Sequence, residues 1–368
     1  MGERALNGSR GGVRGRGARS NPTNRFERIA VEAVVQEGEE EEAGAARLTT
    51  LLLRDSSRSL ITYNDSPDIP FSASLNPYRG CEHGCVYCYA RPTHEYLGFS
   101  AGLDFESRIL VKEEAPALLR AELAAPRWRP QVLAMSGVTD PYQPAERRLE
   151  ITRRCLQVLA EFRNPVAVIT KSALVTRDID LLAELAGCGA AAVMLSITTL
   201  DPELARRMEP RAAHPRDRLE AIARLAAAGV PAGVMVAPVV PALTDHEIPR
   251  ILEAAAAAGA RTAGFIVMRL PGAVAGLFEE WLERHYPERK EKVLNRVREL
   301  RGGRLNDPRF GSRMRGEGIF AEQIRALFES SRRRHGLARR GLELSTASFR
   351  RPAGGGGRAA NQLQLFDP

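Results

Sequence analysis

Short apolar runs alternate with longer amphipathic stretches along the middle of the chain. The runs lie at 131–137, 166–172, 191–198, 232–240 and 262–270, and continuous apolar runs of this kind predict buried strands. Between them apolar residues recur at helical spacing. This spacing predicts helices over 144–162, near 178–186, through 228, ending at 259, and near 274–285.

Strands that alternate with helices predict a parallel sheet covered by helices. The segment SASLNPY (72–78) adds an opening strand and brings the count to six. Six strands suit an open barrel better than a closed barrel of eight. We therefore predict an α/β fold, an open partial (β/α)6 barrel similar to a TIM barrel, with extensions at both ends. Ligand chemistry in such folds lies at the carboxyl ends of the strands.

The segments outside this core differ in composition. Residues 1–45 are rich in Arg and Gly and then in Glu, and such compositions predict disorder because they cannot bury a core. Residues 46–70 form a lead-in to a core over 71–285. A basic helical extension is predicted over 286–350. Residues 351–368 combine a glycine-rich linker with the tail QLQLF.

Composition also excludes several classes of protein. No run of eighteen or more apolar residues occurs, which excludes a membrane-spanning helix. The N-terminus has no apolar segment typical of a secretory signal. Five cysteines in 368 residues are too few for a disulfide scaffold. We therefore expect a cytoplasmic protein.

The net charge of +8 is unevenly distributed. Residues 284–351 contain nineteen basic and eight acidic residues, so this segment alone exceeds the basic excess of the whole chain. A local excess of this kind predicts binding to a polyanion such as DNA, although a solvated helical face would have the same composition. The candidate phosphate contacts are Arg313, Arg315, Arg332, Arg333 and Arg334.

The strongest chemical signal is a cysteine triplet. Cys81, Cys85 and Cys88 have the spacing C-x3-C-x2-C. Thiolates are ligands for iron–sulfur clusters and zinc, and three so close in sequence can hold three corners of one four-iron cluster. Gly80 and Gly84 allow the backbone to wrap around it. The fourth iron would then be open to a small molecule.

Structural zinc is the alternative for this triplet. It needs four ligands, and His83 or His94 could supply the fourth. Structural zinc sites usually consist of two separated pairs of ligands rather than one compact triplet, so the spacing favours the cluster.

The triplet, with Tyr87 just before its last cysteine and just past the first strand of a βα repeat, resembles the radical S-adenosylmethionine (SAM) superfamily. The resemblance implies a radical SAM barrel over about residues 70–285. It also implies that SAM chelates the open iron of a four-iron, four-sulfur (4Fe–4S) cluster. Reductive cleavage of SAM would then yield a 5′-deoxyadenosyl radical that abstracts hydrogen from a substrate. A one-electron donor such as flavodoxin or ferredoxin would supply the electron.

Within that superfamily the chain resembles the branch of spore photoproduct lyase and a related, poorly characterised bacterial set. The similar segments are NPYRGCEHGCVYCYARPTHEY, SGVTDPYQPAE, TKS, LSITTLDPELARRMEPRA and GVMVAPVVPALTDHE. Carried over by position, the resemblance assigns the cluster to the three cysteines and a catalytic place beside SAM to Tyr89. The residues it implies at the SAM site are Tyr87, Tyr89, Ser136, Gly137, Thr139, Lys171, Ser196 and Ala237, with Asp140 and Arg207 as further candidates.

The chain departs from the lyase at one point. In that enzyme a further cysteine supplies a hydrogen atom to the product radical. The remaining cysteines here are Cys155, inside a predicted helix, and Cys188, at a helix end. Both positions are typical of packing cysteines, which puts repair of that lesion by that mechanism in doubt.

The tail QLQLF resembles the pentapeptide by which bacterial replication and repair proteins bind the sliding clamp. Gln362, Leu363, Leu365 and Phe366 would make that contact. We therefore expect a radical SAM enzyme that acts on a substrate such as DNA. Two alternatives stay open: radical SAM modification of a protein or small molecule, and a zinc-containing adaptor for nucleic acid or the clamp that has no catalytic activity.

Overall fold

A computed structural model of the chain describes residues 16–27, 48–338 and 343–352. Within these ranges the strands, in chain order, are β1 (Leu51–Arg54), β2 (Ile61–Tyr63), β3 (Ala73–Leu75), β4 (Tyr78–Arg79), β5 (Arg108–Val111), β6 (Leu133–Met135), β7 (Val166–Thr170), β8 (Ala191–Ser196), β9 (Ala232–Val239) and β10 (Thr262–Val267).

The α-helices of the same ranges are α1 (Leu103–Ser107), α2 (Ala115–Ala124), α3 (Glu146–Leu149), α4 (Ile151–Phe162), α5 (Ile179–Gly187), α6 (Pro202–Met208), α7 (Pro215–Ala227), α8 (Ile248–Ala257), α9 (Val274–His285), α10 (Lys290–Leu300) and α11 (Ile319–Arg334). Short 3₁₀ helices cover Arg91–Leu97, Ala173–Asp178, Asp245–Glu247 and Pro287–Arg289.

Seven strands form the main sheet, in the order β10, β9, β8, β7, β6, β3, β2. Six of them, β3 and β6 to β10, are parallel, and β2 is antiparallel to β3 at one edge. Five of the parallel strands, β6 to β10, lie in the predicted apolar runs, and β3 lies in the predicted opening segment 72–78. Helices pack over the sheet, so apolar side chains are stabilised there. In the described part of the chain the edge strands β10 and β2 do not pair with each other. The predicted open α/β architecture is confirmed, with β2 as an added edge strand.

Side chains connect the two edges of the sheet. The buried Arg301 guanidinium donates to the carbonyl oxygens of Val267 (2.7 Å) and Met268 (2.8 Å) at the end of β10, and to that of Arg313 (2.8 Å). Arg313 Nε donates in turn to Asp68 Oδ2 (2.6 Å) in the loop between β2 and β3. The loop between α10 and α11 therefore covers the open side of the sheet.

The single helix predicted over 144–162 is wrong in one respect. Glu150 has a φ of +51°, which ends α3 and separates it from α4. The buried Glu146 carboxylate accepts the backbone N–H of Thr152 (3.0 Å), so a side chain replaces part of the hydrogen bonding of a continuous helix. Apolar periodicity continues across the break and does not register it.

A second, small sheet has the order β1, β5, β4 and was not predicted. β5 pairs with β1 in parallel and with β4 in antiparallel orientation. Its strands have two to four residues each. Such short strands carry too little alternation to be recognised in the sequence.

The C-terminal part of the chain packs on the core. α11 lies against α8 and β10, with the Phe265 and Phe328 rings 4.6 Å apart. Residues 343–352 then follow the end of the sheet at which the strands begin. The backbone N–H of Ser345 donates to Gly189 O just before β8, and that of Arg350 donates to Phe162 O just before β7, both at 2.9 Å. The carboxyl ends of the strands lie at the opposite end of the sheet.

No helix within the described ranges is both long and apolar enough to cross a membrane. The residues of the predicted clamp contact, Gln362, Leu363, Leu365 and Phe366, lie outside the described residues, as does most of segment 1–45.

Candidate active site

The cysteine loop, residues 80–88, follows β4. Cys81 and Cys85 are buried and Cys88 is partly buried, all as free thiols. The Cys81 backbone N–H donates to Phe105 O (2.9 Å), and that of Cys88 donates to Cys85 O (3.2 Å). Apolar side chains, among them Val86 and Phe105, surround the thiols. The loop is therefore compact, and its sulfur atoms lie in an apolar environment.

Two glycines allow the loop to turn, as predicted. Gly80 and Gly84 have φ values of +80° and +67°. A Cβ atom at Gly80 would lie 3.0 Å from His94 Cε1, and one at Gly84 would lie 2.7 Å from Glu106 Oε2. Both positions therefore need glycine for conformation and for space.

The chemistry of the three thiols fits a cluster. Burial raises the pKa of Cys81, Cys85 and Cys88, so isolated thiolates are unfavourable there. Bound iron offsets that cost because its charge deprotonates a coordinating thiol. In the described ranges, no three His, Cys, Asp or Glu side chains gather around one point as a single metal ion requires. His83 and His94, the proposed fourth zinc ligands, instead contact Asp140 (3.3 Å) and Arg108 O (2.9 Å).

Arg91 binds backbone carbonyl groups of the cysteine loop, a role that the sequence did not predict. It is fully buried and forms an ion pair with the equally buried Glu106. Its guanidinium also donates to the carbonyl oxygens of Cys85 (2.9 Å), Gly84 (3.2 Å) and Gly102 (2.9 Å). An arginine three residues after the last cysteine is visible in the sequence, but its burial depends on Glu106, fifteen residues away.

Residues 16–27, here called the N-terminal strap, cover the same region. The backbone N–H groups of Gly17 and Ala18 donate to the Glu106 carboxylate (2.9 and 2.7 Å). A Cβ atom at Gly17 would lie 1.8 Å from Gly84 O. Farther along, Arg25 pairs with the buried Glu95 (2.6 Å). The prediction of disorder is therefore wrong for this part of 1–45, because buried carboxylates of the core supply partners that composition does not register.

The loop after β6 holds the cysteine loop from the other side. The Thr139 hydroxyl donates to Gly80 O (2.6 Å), and Gln143 Oε1 accepts the backbone N–H of Glu82 (2.9 Å). The Ser136 hydroxyl donates to Thr139 O (3.3 Å). Of the residues predicted to contact SAM here, Thr139 thus binds the cysteine loop itself.

Asp140 joins three segments. Its carboxylate accepts the Thr170 hydroxyl (2.6 Å) and the backbone N–H of Lys171 (2.8 Å), and it pairs with His83. Burial alone would raise the pKa of Asp140, but His83 and these hydrogen bonds keep it below its usual value. Asp140 therefore ties the end of β7 to the cysteine loop through Lys171 and His83, which makes it a positioning residue.

Lys171, predicted at the SAM site, lies where three other elements meet. Its Nζ donates to Ala237 O (2.9 Å) near the end of β9 and lies 3.7 Å from Glu209 Oε1. It also lies 5.8 Å from the centre of the Tyr87 ring, next to the cysteines. The structure thus brings together Tyr87, Lys171 and Ala237, as the prediction requires.

Glu209 is the buried anion at the centre of this network and was missed. It pairs with Arg218, and it accepts hydrogen bonds from Tyr87 and from Thr198 (2.7 Å). Burial alone would raise the pKa of Glu209, but Arg218, Lys171 and the two hydroxyls lower it to about 2. Glu209 lies in a segment that resembles the spore photoproduct lyase branch, but the sequence does not indicate a role for it.

Two further predicted residues lie at different distances from this centre. Ser196 is buried at the end of β8, and its carbonyl oxygen accepts a hydrogen bond from Arg218 (2.8 Å). Arg207 instead donates to Glu203 (2.9 Å) on α6 and stacks on Tyr286. Within the described residues, no hydrogen bond or ion pair joins the Arg207 side chain to the cysteine loop.

Tyr89, Gly137 and Arg269 form what we call the strand-end mouth. Tyr89 follows the last cysteine, is 48% exposed, and donates its hydroxyl to Gly137 O (2.7 Å) after β6. The Arg269 guanidinium, two residues after β10, lies 5.2 Å from the centre of the Tyr89 ring. These contacts link the carboxyl ends of two distant strands beside the cysteine loop.

The other two cysteines are remote from this site. Cys155 is fully buried in α4 within the main core. Cys188 caps α5 just before β8 begins, so it lies at the opposite end of the sheet from the cysteine loop. Cys155 therefore packs in the core, and Cys188 is partly buried against the same core, which agrees with packing roles.

The predicted phosphate contacts are scattered. Arg313 binds Asp68, and the buried Arg332 donates to Glu329 (2.9 Å) and to Leu337 O. Ala338, which follows them, bridges to Thr262 at the start of β10. Arg332, Arg333 and Arg334 therefore lie near the end of the sheet opposite the cysteine loop, whereas Arg313 and Arg315 lie near its carboxyl end. Several arginines of the basic segment are therefore paired within the protein, which a count of charges does not show, and the expected polyanion contact stays a prediction.

Relatives of known sequence share this core. The family described as the Radical SAM superfamily matches residues 75–255. An uncharacterized protein of Mycobacterium tuberculosis is 42% identical over 234 residues, which cover 63% of this chain and 68% of that protein. An uncharacterized protein of Methanocaldococcus jannaschii is 28% identical over 223 residues, 61% of this chain and 80% of that protein.

Solved structures agree with the fold. Spore photoproduct lyase complexed with dinucleoside spore photoproduct has a TM-score of 0.57 and 16% identity, and the match covers 78% of this chain and 80% of the lyase. A mutant of the same lyase has a TM-score of 0.56 at 17% identity, with the same coverage. At this identity the likeness concerns the fold. Together with the family match and the buried cysteine triplet, it establishes that the chain belongs to the radical SAM superfamily and is an enzyme that uses a 4Fe–4S cluster and SAM.

Proposed function

We propose that this enzyme abstracts hydrogen from a nucleic acid, with DNA as the substrate. The observation that carries the proposal is the position of one part of the basic segment 284–351, because several of its other arginines are paired within the protein. The loop between α10 and α11 lies at the carboxyl end of β10, where the backbone N–H of Val267 donates to Met314 O (2.9 Å), and it carries the exposed Arg315. In addition, a solved enzyme with the same fold was complexed with a dinucleoside photoproduct.

In this proposal Cys81, Cys85 and Cys88 hold the cluster. Bound cluster and SAM supply a 5′-deoxyadenosyl radical once one electron has been delivered, and flavodoxin or ferredoxin is the donor we propose. The chain's own residues position and shield this chemistry. Arg91 and the N-terminal strap fix the cysteine loop, while apolar neighbours exclude water.

The same proposal assigns the SAM contacts. Lys171 has a mobile ammonium near Tyr87 and is suited to a carboxylate. Ser196, Ala237 and Gly137 end neighbouring strands and offer hydroxyl and backbone groups. Glu209 acts on Lys171 and Tyr87 and is a positioning residue rather than a ligand.

The test is anaerobic reconstitution with reductant and SAM, followed by addition of uniformly deuterated DNA, RNA or peptide pools. We expect DNA to increase 5′-deoxyadenosine formation and to transfer deuterium into it. Transfer from peptides alone, with none from either nucleic acid, would reject the proposal and favour protein modification.

The clamp contact is a separate proposal that rests on the tail sequence QLQLF. Deletion of 362–366 should abolish binding to the bacterial sliding clamp and leave 5′-deoxyadenosine formation unchanged. Equal clamp binding by both proteins would reject it.

A further inference from the structure

Arg269 differs from the arginines that hold the active site together. Arg91, Arg218 and Arg301 each donate to several protein oxygen atoms. The contact of Arg269 within the described ranges is the face of the Tyr89 ring, and no oxygen atom there accepts a hydrogen bond from it. A guanidinium has five N–H donors around its edge. Stacking uses the face of the group and leaves that edge open to a ligand.

The electrostatic environment makes this arrangement costly without a ligand. Burial lowers the pKa of Arg269 and the nearby Arg313 lowers it further, whereas Tyr89 and Asp68 act in the opposite direction without restoring its usual value. Arg301 adds a second positive charge that is not paired with a carboxylate in the described residues, and its own pKa falls to about 10 for the same reason, burial first and Arg269 next. A partly buried cation without an acceptor is unfavourable. An anion bound against Arg269 would offset the cost of burying its charge and the repulsion between the neighbouring arginines.

The position of Arg269 indicates where such an anion would bind. Tyr89 directly follows the cysteine loop, and its hydroxyl is held on Gly137 at the end of β6. Arg269 follows β10. An anion on the free edge of Arg269 would therefore lie at the strand-end mouth, next to Tyr89.

We propose that Arg269 binds a phosphodiester oxygen of the nucleic acid substrate, with Tyr89 holding the plane of its guanidinium. This inference rests on the proposed function and adds the residue that anchors the substrate backbone. Arginine suits the role because its planar edge matches two phosphate oxygens. Lys171, on the other side of the cysteine loop, stays the candidate for the carboxylate of SAM, which is the other oxyanion at the site.

The experiment compares Arg269→Gln with Arg261→Gln in the reconstituted holoenzyme. Arg261 is an exposed arginine that directly precedes β10, so the two variants remove the same charge from opposite ends of one strand. The probe is a short single-stranded DNA oligonucleotide, with binding measured between about 50 and 200 mM salt. We expect Arg269→Gln to weaken binding on the order of tenfold and to lower the salt slope by about 0.7. Arg261→Gln should change neither quantity by as much.

SAM binding separates the two oxyanions. SAM affinity and 5′-deoxyadenosine formation without substrate should be the same in Arg269→Gln as in the natural protein. A loss of SAM affinity would assign Arg269 to the SAM carboxylate and overturn the proposal. Arg269→Lys is the second variant if Arg269→Gln folds poorly, and it should keep the salt slope but lose affinity.

The remaining outcomes distinguish this proposal from the function on which it rests. If the natural protein binds DNA and Arg269→Gln binds it equally, Arg269 is not the anchor and the proposed function stands. If Arg269→Gln and Arg261→Gln lose DNA affinity equally, binding depends on the overall charge of the protein and the proposal fails. If the natural protein does not bind the oligonucleotide, both proposals fail.

Discussion

The cysteine loop and the strand-end mouth are neighbours, but their polar groups are held in opposite ways. Around the cysteine loop, Arg91, Glu106 and the N-terminal strap leave the backbone with protein partners on several sides. At the mouth, Tyr89 is half-exposed and Arg269 has a ring face as its contact. We attribute the difference to the cluster that the cysteine loop holds and to the substrate that we propose for the mouth.

A cluster needs ligands at fixed positions, and a rigid shell supplies them before binding occurs. A substrate must enter and leave, so its contacts are made only while it is bound. Under our proposals a rigid cofactor region therefore lies next to an adaptable substrate region, since Cys88 and Tyr89 are adjacent in the chain.

The largest expected effect comes from removing a cluster ligand. Cys85→Ala should lose iron and sulfide and reduce 5′-deoxyadenosine formation to the detection limit, because two thiolates cannot hold the cluster. Cys155→Ala removes an equally buried cysteine from α4 and should keep both properties. Iron and sulfide analysis after anaerobic preparation measures the difference. A fully loaded Cys85→Ala protein would contradict the assignment.

The rigidity of the cysteine loop is tested next by Arg91→Met. This change leaves Glu106 without its cation and several carbonyl oxygens without donors, so the free energy of unfolding should fall by about 3–5 kcal/mol. The matched control is Arg120→Met, which breaks the exposed pair with Glu161 and should cost less than about 1 kcal/mol. Urea unfolding of the reduced proteins measures both. Equal losses would show that Arg91 has no special role.

The N-terminal strap is tested by Gly17→Ala. The added Cβ would lie against Gly84 O, so the strap must move and the Glu106 carboxylate must lose the N–H groups of the strap. We expect a loss of about 1–3 kcal/mol and faster bleaching of the cluster in air. Gly276→Ala adds the same methyl group to α9 where no atom lies within 4 Å, and it should be neutral or slightly stabilising. Identical bleaching rates in the natural protein and Gly17→Ala would show that the strap does not protect the cluster.

The network around Glu209 sharpens the comparison through pH. The pKa of Glu209 falls from 4.5 to about 2 on folding, so its contribution to stability is fully present above pH 4.5 and is lost as the pH falls toward 2. Glu209→Gln lacks this contribution. The difference in unfolding free energy between the natural protein and Glu209→Gln should therefore shrink between about pH 6 and pH 3. A constant difference over that range would show that Glu209 is not charged through these contacts.

The smallest effect is expected at the mouth. Tyr89→Phe removes the hydroxyl that donates to Gly137 O but keeps the ring under Arg269. Because the group is half-exposed, water replaces the lost hydrogen bond and the free energy of unfolding should change by less than about 1 kcal/mol. Thermal unfolding measures it. A loss as large as that of Arg91→Met would mean that the mouth is as rigid as the cysteine loop.

The sequence predicted the parts of the site that depend on local patterns. Cys81, Cys85, Cys88, Gly80 and Gly84 lie within nine residues, and their spacing alone indicates a loop that can wrap a cluster. Lys171 was implied by the resemblance to the superfamily, and the structure places its Nζ 5.8 Å from the centre of the Tyr87 ring, because the carboxyl ends of parallel strands meet. The roles of Glu209 and Arg91 were not predicted. Their partners are separated from them along the chain, so the sequence does not show which residues they contact.

Charge was the least reliable guide. Arg313 and Arg332 belong to one basic segment, and both are candidate phosphate contacts by sequence. In the structure Arg313 binds Asp68 across the open side of the sheet, and Arg332 is buried beside Leu337. Arg269 lies outside that segment and carried no signal in the sequence. A count of charges cannot distinguish an internal pair from a free donor, because that distinction depends on which residues the fold brings into contact.

The sequence by itself determined the alternation of strands and helices and the cysteine triplet, because hydrophobic periodicity and ligand spacing act over a few neighbouring residues. The tertiary structure decided which residues tie the cysteine loop down and which stay open to a ligand. Glu106 reaches Arg91 and Gly17, and Arg269 reaches Tyr89, only because packing joins segments far apart in the chain. Burial makes the contacts of Glu106 strong constraints, since a buried polar group must find a partner, whereas the half-exposed contact of Tyr89 leaves Arg269 open to a ligand.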